Sequence, residues 1–197
     1  MKIKVFYIII AISFSKIALA SFDSPSFMVN QSEKSIKIQQ KAGDILAFAI
    51  NGVAITKAIY EKDWEGLKQY SYATGTTEIA TFGLKYSINR QRPNGDPYSF
   101  PSGHTSFSFA GATFLQIRYG YTWGIPALAL ASFVGYSRIA SQKHYTSDVL
   151  AGAFIGVLTN LYFTKPLEVK INQHSYNIYV SPYVDSTQAK LMFNIAL

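Results

Sequence analysis

Five apolar stretches of helical length lie between Asp44 and Phe163, and no other feature of the sequence limits the possible folds as strongly. Polar residues, glycine or proline separate each stretch from the next, and strand-like alternation is poor throughout this region. We expect helices over residues 44–60, 67–87, 105–119, 123–139 and 148–163. The pattern therefore predicts an all-α helical bundle, in which Asp44 caps the first helix and Pro166 closes the last.

The length of the chain, 197 residues, indicates one well-packed domain, which we place at residues 42–166. Hydrophobic residues make up 49% and charged residues 15% of the chain, so it is more apolar than an ordinary soluble domain. Lys57, Glu78 and Arg118 interrupt the apolar stretches, so each falls short of the ~20 apolar residues that cross a bilayer. A soluble bundle and a membrane-seated bundle are both compatible with this pattern.

Small residues recur inside the predicted helices, at 110–112 and again at 151–153 followed by Gly156. Without bulky side chains, two helix backbones can approach each other closely. We therefore expect tight packing where these segments meet other helices.

The first twenty residues have the design of an export signal. Lys2 and Lys4 precede an apolar run over residues 5–12, and a small-x-small ending follows at 18–20. We expect cleavage directly after this ending, and an uncleaved first membrane helix is the alternative. Both imply export, and we expect a periplasmic location at the inner membrane. Residues 21–41 are polar and form a predicted lead-in without a core.

Charge and cysteine content disfavour several classes of function. Loss of the signal would remove three lysines and no acidic residue, which lowers the formal charge from +7 to +4. The remaining positive charges are scattered, so nucleic-acid binding is disfavoured and an anionic substrate or a lipid surface is favoured. The chain contains no cysteine, which excludes disulfides, a thiol nucleophile and thiolate metal ligands.

The tail, residues 167–197, has a different pattern from the rest of the chain. Apolar and polar residues alternate in two short runs that are separated by proline and polar residues. This alternation predicts a C-terminal β-hairpin over residues 176–180 and 191–195.

Lys85 and Arg92 form the first candidate cluster, with Pro93 directly after the arginine. Seven residues are two helical turns, so a helix that ends before Pro93 would direct both cations toward one point. A solvated basic helix end is the alternative, because Lys and Arg favour the last turn of a helix. The pair indicates an anion site only in combination with other clusters.

A Pro-Ser-Gly-His segment at 101–104 stands directly before the third predicted helix. The hydroxyl of Ser102 can donate, Gly103 lets the backbone approach an anion, and the helix start offers unpaired amides. A turn that starts a helix is the alternative. His104 adds a titratable imidazole and favours a phosphate site over a simple turn.

Arg138, His144 and Asp148 form the third cluster, in the pattern Ser-Arg-x5-His-x3-Asp. On a helix, a spacing of four places His144 and Asp148 on one face. The carboxylate could then hold one ring nitrogen and leave the other free to attack. A structural His–Asp pair is the alternative.

One histidine, His174, lies outside these clusters, and we expect it at the surface. The acidic residues are too dispersed for a two-metal phosphatase site. Two histidines and one aspartate also lack the spacing of a zinc motif. We therefore expect neither a metal nor another cofactor.

In their order and spacing, the three clusters resemble the type 2 phosphatidic acid phosphatases, the PAP2 superfamily. This family shares its site with bacterial nonspecific acid phosphatases and vanadium haloperoxidases. The family pattern is Lys-x6-Arg-Pro, then Pro-Ser-Gly-His, then Ser-Arg-x5-His-x3-Asp, and the chain matches it at each position from Lys85 to Asp148.

The resemblance implies a helical bundle with the site at one end. It implies that His144 attacks phosphorus, that Asp148 orients His144 and that His104 is the general acid. By the same resemblance, the non-bridging phosphate oxygens are held by Lys85, Arg92, Ser102, Gly103 and Arg138. Fixed cations then stabilise the charge of the transferring phosphoryl group, so no metal is needed.

We therefore expect a metal-independent phosphatase for a membrane lipid, such as a phosphatidate-like, polyprenyl or lipid A phosphate. A soluble periplasmic acid phosphatase for small phosphomonoesters is the alternative. Vanadate-dependent halide oxidation is disfavoured, because the peroxidases of the family are larger.

Overall fold

The computed structural model describes residues 32–167, 169–171, 174–185 and 188–196. The predicted signal segment lies outside the described residues, and so does the first part of the predicted lead-in. The described part of the chain contains five helices, which confirms the predicted helical bundle. They are α1 (Glu33–Tyr60), α2 (Trp64–Ile88), α3 (Gly103–Tyr119), α4 (Tyr121–Ala140) and α5 (Thr146–Phe163).

Helix α1 begins earlier than predicted. Ser32 caps it, because the Ser32 hydroxyl accepts a hydrogen bond from the amide of Ser35 at 3.3 Å. Asp44 lies inside the helix, so the prediction that it is the N-cap is wrong. The residues before it are mainly Lys, Gln, Glu and Ile, which form helices well but give no clear apolar periodicity. The helix is therefore continuous across the predicted boundary at residue 41.

Two helices in the described part are long and apolar enough to cross a membrane, α1 and α5. Their most apolar windows have mean hydropathies of 1.4 and 1.2, and only 33% and 22% of these windows are buried. The prediction that every stretch is too short for a span is wrong for this pair. Helix α1 extends beyond its apolar stretch to 28 residues, about 42 Å at 1.5 Å per residue.

Helix α3 packs against all four others. The side-chain and glycine contacts between the helices show that successive helices run in opposite directions. Its buried residues Phe114 and Leu115 form the centre of the core, together with Ile50 of α1, Tyr70 of α2 and Ala131 of α4. Helices α2 and α4 therefore end, and α3 and α5 begin, at the same end of the bundle. We call this the motif end.

Helices α3 and α5 are parallel and pack backbone to backbone. A Cβ atom on Gly152 would lie 2.5 Å from the carbonyl oxygen of Ser102 and 3.2 Å from the amide nitrogen of Ser106. A Cβ atom on Gly156 would overlap the carbonyl oxygen of Ser106. The predicted close approach at small residues is therefore confirmed, and it fixes the middle of α5 against the first two turns of α3.

A buried ion pair closes the opposite end of the bundle. The guanidinium of Arg118 donates to both oxygens of Asp63, at 2.7 and 2.6 Å, and to the carbonyls of Lys165 and Pro166 at 3.0 and 3.1 Å. The Tyr119 hydroxyl also donates to Asp63, at 2.9 Å. These bonds satisfy the buried charges and tie the start of α2 to the segment after α5.

The tail forms an antiparallel sheet of β1 (Val169–Ile171), β2 (His174–Asp185) and β3 (Gln188–Ala196), in that order. Strands β2 and β3 pair in antiparallel register, with Asp185 opposite Gln188 at the turn end. Both predicted hairpin segments lie within these strands. Strand β1 pairs with the start of β2. It was not predicted, because three residues are too few to show alternation.

We expect Gly152→Ala to destabilise the protein by about 1–3 kcal/mol, because its methyl group would force α3 and α5 apart. The matched control is Gly83→Ala on α2, where a Cβ atom meets nothing within 4 Å. There the loss of backbone freedom in the unfolded chain should stabilise by about 0.5–1 kcal/mol. Thermal unfolding of the two variants measures both effects. Equal shifts of Tm would contradict the close packing of α3 and α5.

Candidate active site

All three sequence clusters lie at the motif end. Lys85 is in the last turn of α2 and Arg138 in the last turn of α4. Ser102 is the N-cap of α3, and Asp148 lies in the first turn of α5. The fold thus collects the eight predicted site residues at one end: Lys85, Arg92, Ser102, Gly103, His104, Arg138, His144 and Asp148.

The ammonium group of Lys85 is fixed by two backbone carbonyls. Its Nζ donates to the oxygens of Tyr98 and Pro101 at 2.9 and 2.8 Å. Burial, followed by the positive charge of Arg92, lowers the pKa of Lys85 to about 8. Lys85 is therefore a positioned cation at neutral pH that loses its charge under alkaline conditions.

Arg92 lies in the loop after α2 and not on the helix. The helix ends at Ile88, and Asn89 takes a left-handed conformation with φ 44°. The predicted helical alignment of Lys85 with Arg92 is therefore wrong, and the loop brings the two charges together. The Nε atom of Arg92 is buried and has no hydrogen-bond partner among the described residues. An unpaired buried donor is costly, so this group is poised for an anionic ligand.

The start of α3 provides an anion-binding position next to these cations. Ser102 is fully buried, and its Oγ lies 2.9 Å from Oγ1 of Thr105. The amide of Ser102 donates to the carbonyl of Asp148 at 2.9 Å. Gly103 is the first residue of the helix, where amide groups lack partners within the helix and the helix dipole favours negative charge.

His144 precedes α5 and is buried, with 4% of its surface exposed. Its Nδ1 lies 2.7 Å from the carbonyl oxygen of Ser99 and 3.8 Å from Oδ2 of Asp148. His144 lies before α5, which begins at Thr146, so the predicted alignment of His144 and Asp148 on one helix face is wrong. The carboxylate of Asp148 nevertheless lies within ion-pair distance of Nδ1. A carbonyl oxygen only accepts, so Nδ1 carries the proton. In the neutral ring, Nε2 then carries the lone pair.

Asp148 orients His144 through Ser99. Its Oδ2 accepts the Ser99 hydroxyl at 2.5 Å and the amide of Tyr145 at 2.9 Å. Its Oδ1 accepts a hydrogen bond from Nη1 of Arg90 at 2.9 Å. Ser99 therefore joins the carboxylate to the imidazole, because its hydroxyl donates to one while its carbonyl accepts from the other.

The electrostatic environment keeps His144 neutral. Burial lowers the pKa of His144, and the positive charges of Lys85 and Arg92 lower it further, against the opposing effect of Asp148. The neutral imidazole therefore persists at a more acidic pH than that of an exposed histidine. The neutral ring, with its lone pair on Nε2, is therefore the resting form of His144.

His104 is the more exposed of the two site histidines, with 41% of its side chain accessible. Its Nε2 lies 3.1 Å from Oδ1 of Asp44. The same oxygen is 2.6 Å from Nη1 of Arg138, which is almost fully buried. Burial lowers the pKa of His104, Arg138 lowers it further, and the carboxylate of Asp44 opposes both.

Three residues of the site were missed by the sequence analysis: Asp44, Arg90 and Ser99. Ser99 contributes chiefly through its backbone carbonyl, which no residue type encodes. Arg90 stacks on the Tyr145 ring, with Cζ 4.0 Å from the ring centroid. It lies inside the first motif but at a position that the motif leaves unspecified. Asp44 was noticed, but as a helix cap, because its partners are distant in sequence.

A family model described as the PAP2 superfamily matches residues 66–168, from α2 to just past α5. The lipid A 1-phosphatase of Porphyromonas gingivalis is 45% identical over 78 residues, which cover 38% of this chain and 18% of that protein. The lipid A 4'-phosphatase of Helicobacter pylori is 28% identical over 130 residues, which cover 60% and 65%. The chain thus covers less than two thirds of either relative.

Two solved structures are similar in fold. LpxE of Aquifex aeolicus superposes with a TM-score of 0.59 at 23% identity, over 68% of this chain and 87% of that chain. A transmembrane PAP2 type phosphatidylglycerolphosphate phosphatase from Bacillus subtilis gives a TM-score of 0.56 at 24% identity, over 82% and 92%. The likeness shows a shared helical architecture.

Proposed function

The chain belongs to the PAP2 superfamily, and from that membership and the site geometry we propose that it is a metal-independent phosphatase. It removes phosphate from a membrane lipid through a phosphohistidine intermediate. The lipid is phosphatidate-like, a polyprenyl phosphate or a lipid A phosphate. We place the enzyme in the periplasm at the inner membrane.

The contact between Nδ1 of His144 and the Ser99 carbonyl is the observation that carries this proposal. Donation from Nδ1 to the Ser99 carbonyl leaves the lone pair on Nε2. The nucleophile therefore needs no separate base to remove a proton before it attacks phosphorus. A histidine with a purely structural role would need neither a lowered pKa nor a surrounding group of cations.

The charges around the site match a phosphomonoester. The site contains two carboxylates, Asp44 and Asp148, and four cations: Lys85, Arg90, Arg92 and Arg138. The cluster therefore carries +2 while both histidines are neutral. A phosphomonoester carries about −1.5 to −2 at pH 7. Fixed guanidinium and ammonium groups then stabilise the equatorial oxygens in the transition state, as magnesium does in other phosphoryl-transfer enzymes.

The reaction proceeds in two balanced steps. First, Nε2 of His144 forms a bond to phosphorus while the bond to the leaving oxygen breaks, and His104 gives that oxygen its proton. Then neutral His104 accepts a proton from water as the water oxygen attacks phosphorus. The P–N bond breaks, and inorganic phosphate and free His144 are released.

Three observations support a lipid substrate over a small phosphomonoester. Two relatives are named as lipid A phosphatases. Helices α1 and α5 expose most of their apolar windows. Exposed Lys34, Lys37 and Lys41 also lie on one side of α1, next to the face from which Gln40 and Asp44 contact Arg138. We call these three lysines the basic face, and it suits an anionic lipid surface beside the site.

The two histidines should fail differently when replaced. His144→Ala should abolish turnover of every substrate, because no covalent intermediate forms. His104→Ala removes the proton for the leaving oxygen, a contribution of about 10²–10⁴-fold. This loss should be large on an alkyl phosphate and small on nitrophenyl phosphate, whose leaving group needs no proton. Steady-state rates with excess chelator give both ratios.

If His104→Ala slowed the turnover of both substrates equally, His104 would not be the general acid. Residual turnover by His144→Ala on either substrate would remove the covalent mechanism. A wild-type enzyme that chelator inactivates and magnesium or zinc restores would overturn metal independence.

The basic face should matter only for a substrate in a membrane. Lys37→Gln/Lys41→Gln should lower kcat/KM for phosphatidate in anionic vesicles by up to about 30-fold, because each surface lysine contributes about 1 kcal/mol. Turnover of nitrophenyl phosphate should change little. The matched control is Lys62→Gln/Lys68→Gln, an equal loss of charge at the opposite end of the bundle.

Equal effects of the two double variants would contradict a membrane role for the basic face. A wild-type preference for glycerol phosphate over vesicle phosphatidate would favour the alternative, a soluble periplasmic acid phosphatase that uses the same site.

A further inference from the structure

Asp44 connects helix α1 to both sides of the proposed reaction site. It lies outside the three motifs, and its side chain is 40% exposed. Its Oδ1 atom is 3.1 Å from Nε2 of His104 and 2.6 Å from Nη1 of Arg138. One carboxylate oxygen thus bridges the proposed acid and a proposed phosphate-binding cation.

The surrounding structure is built to bring α1 to this position. A Cβ atom on Gly43 would lie 2.6 Å from Nη2 of Arg138 and would overlap Oγ of Ser137, so a larger residue would have to displace both side chains. The carbonyl of Gln40 accepts Nη2 of Arg138 at 2.7 Å, one helical turn before Asp44. The contact between Asp44 and Arg138 is therefore one of several that fix α1 against the end of α4.

We propose that Asp44 is a positioning residue for proton delivery: it holds His104 in place and favours the protonated imidazole that the leaving group requires. The proposal rests on the proposed phosphatase function. It assigns to α1, which lies outside the sequence motifs, a part in the chemistry of the site.

The charges that face His104 support this role. Burial, Arg138 from α4 and Arg92 from the loop before α3 all disfavour its protonated form, and so does His144 when its own ring is protonated. Among these groups, Asp44 alone favours that form. Without it, the pKa of His104 would fall further below its ordinary value, and less of the acid would carry a proton at neutral pH.

Asp44 should at the same time weaken phosphate binding. Nε and Nη2 of Arg138 donate to Ser137 and Gln40, and Asp44 takes one of the two protons on Nη1. One of the five donors of the guanidinium then remains for phosphate. A nearby carboxylate also repels an anionic substrate. Loss of its charge should therefore lower kcat without raising KM.

The test compares wild type, Asp44→Asn and Asp44→Glu on an alkyl phosphate and on nitrophenyl phosphate, over a range of pH. His104 must be protonated to act as the acid. If its pKa falls, the enzyme therefore loses activity at a lower pH. In the pH–rate profile for the alkyl phosphate, Asp44→Asn should shift the alkaline limb to lower pH by about one unit. At neutral pH its kcat should fall roughly tenfold. Nitrophenyl phosphate should show a smaller loss, and Asp44→Glu should restore the limb.

A double variant separates this role from a purely structural one. In the His104→Ala background, Asp44→Asn should cause no further loss on the alkyl phosphate, because the group through which it acts is gone. An unshifted pH profile, an equal loss on both substrates or an additive loss in the double variant would overturn the proposal. Wild type without turnover would instead overturn the proposed function, so the two failures are distinguishable.

Discussion

The carboxylate of Asp148 is the interaction on which the site depends. It is fully buried, and a buried charge is tolerated only when its lone pairs are satisfied. Its partners come from separate segments: Arg90 and Ser99 from the loop before α3, and Tyr145 from the start of α5. The carbonyl of Asp148 also accepts the amide of Ser102. One residue thus joins both loops of the motif end to α3.

The helical scaffold makes this arrangement possible. Gly152 lets α5 lie against the backbone of α3, which places Asp148 one turn away beside Ser102. The loop before α3 can then supply the Ser99 carbonyl to His144. The orientation of His144, the proposed nucleophile, follows from helix packing and from a backbone acceptor. The geometry of the proposed catalytic site is therefore a property of the fold as well as of the motif residues.

The sequence predicted the helical bundle and the eight residues that meet at its end, because apolar periodicity and motif spacing are both local signals. Local signals did not predict the features that depend on tertiary contacts. Helix α1 starts at Glu33 because polar residues continue a helix without periodicity. Arg92 is not aligned with Lys85 on the helix, because the helix ends at Ile88 and the chain turns at Asn89. Asp44 and Ser99 acquire their roles only through partners that are distant in the chain.

Trapping the phosphorylated enzyme tests the central claim most directly. Wild type is mixed with labelled nitrophenyl phosphate, quenched in alkali within one turnover and digested for peptide mapping. Attack by Nε2 of His144 predicts an alkali-stable, acid-labile phosphoryl group on this residue, which is absent from His144→Ala and still forms in His104→Ala. Label on Ser102, or complete turnover with no labelled protein at any time, would contradict attack by Nε2 of His144.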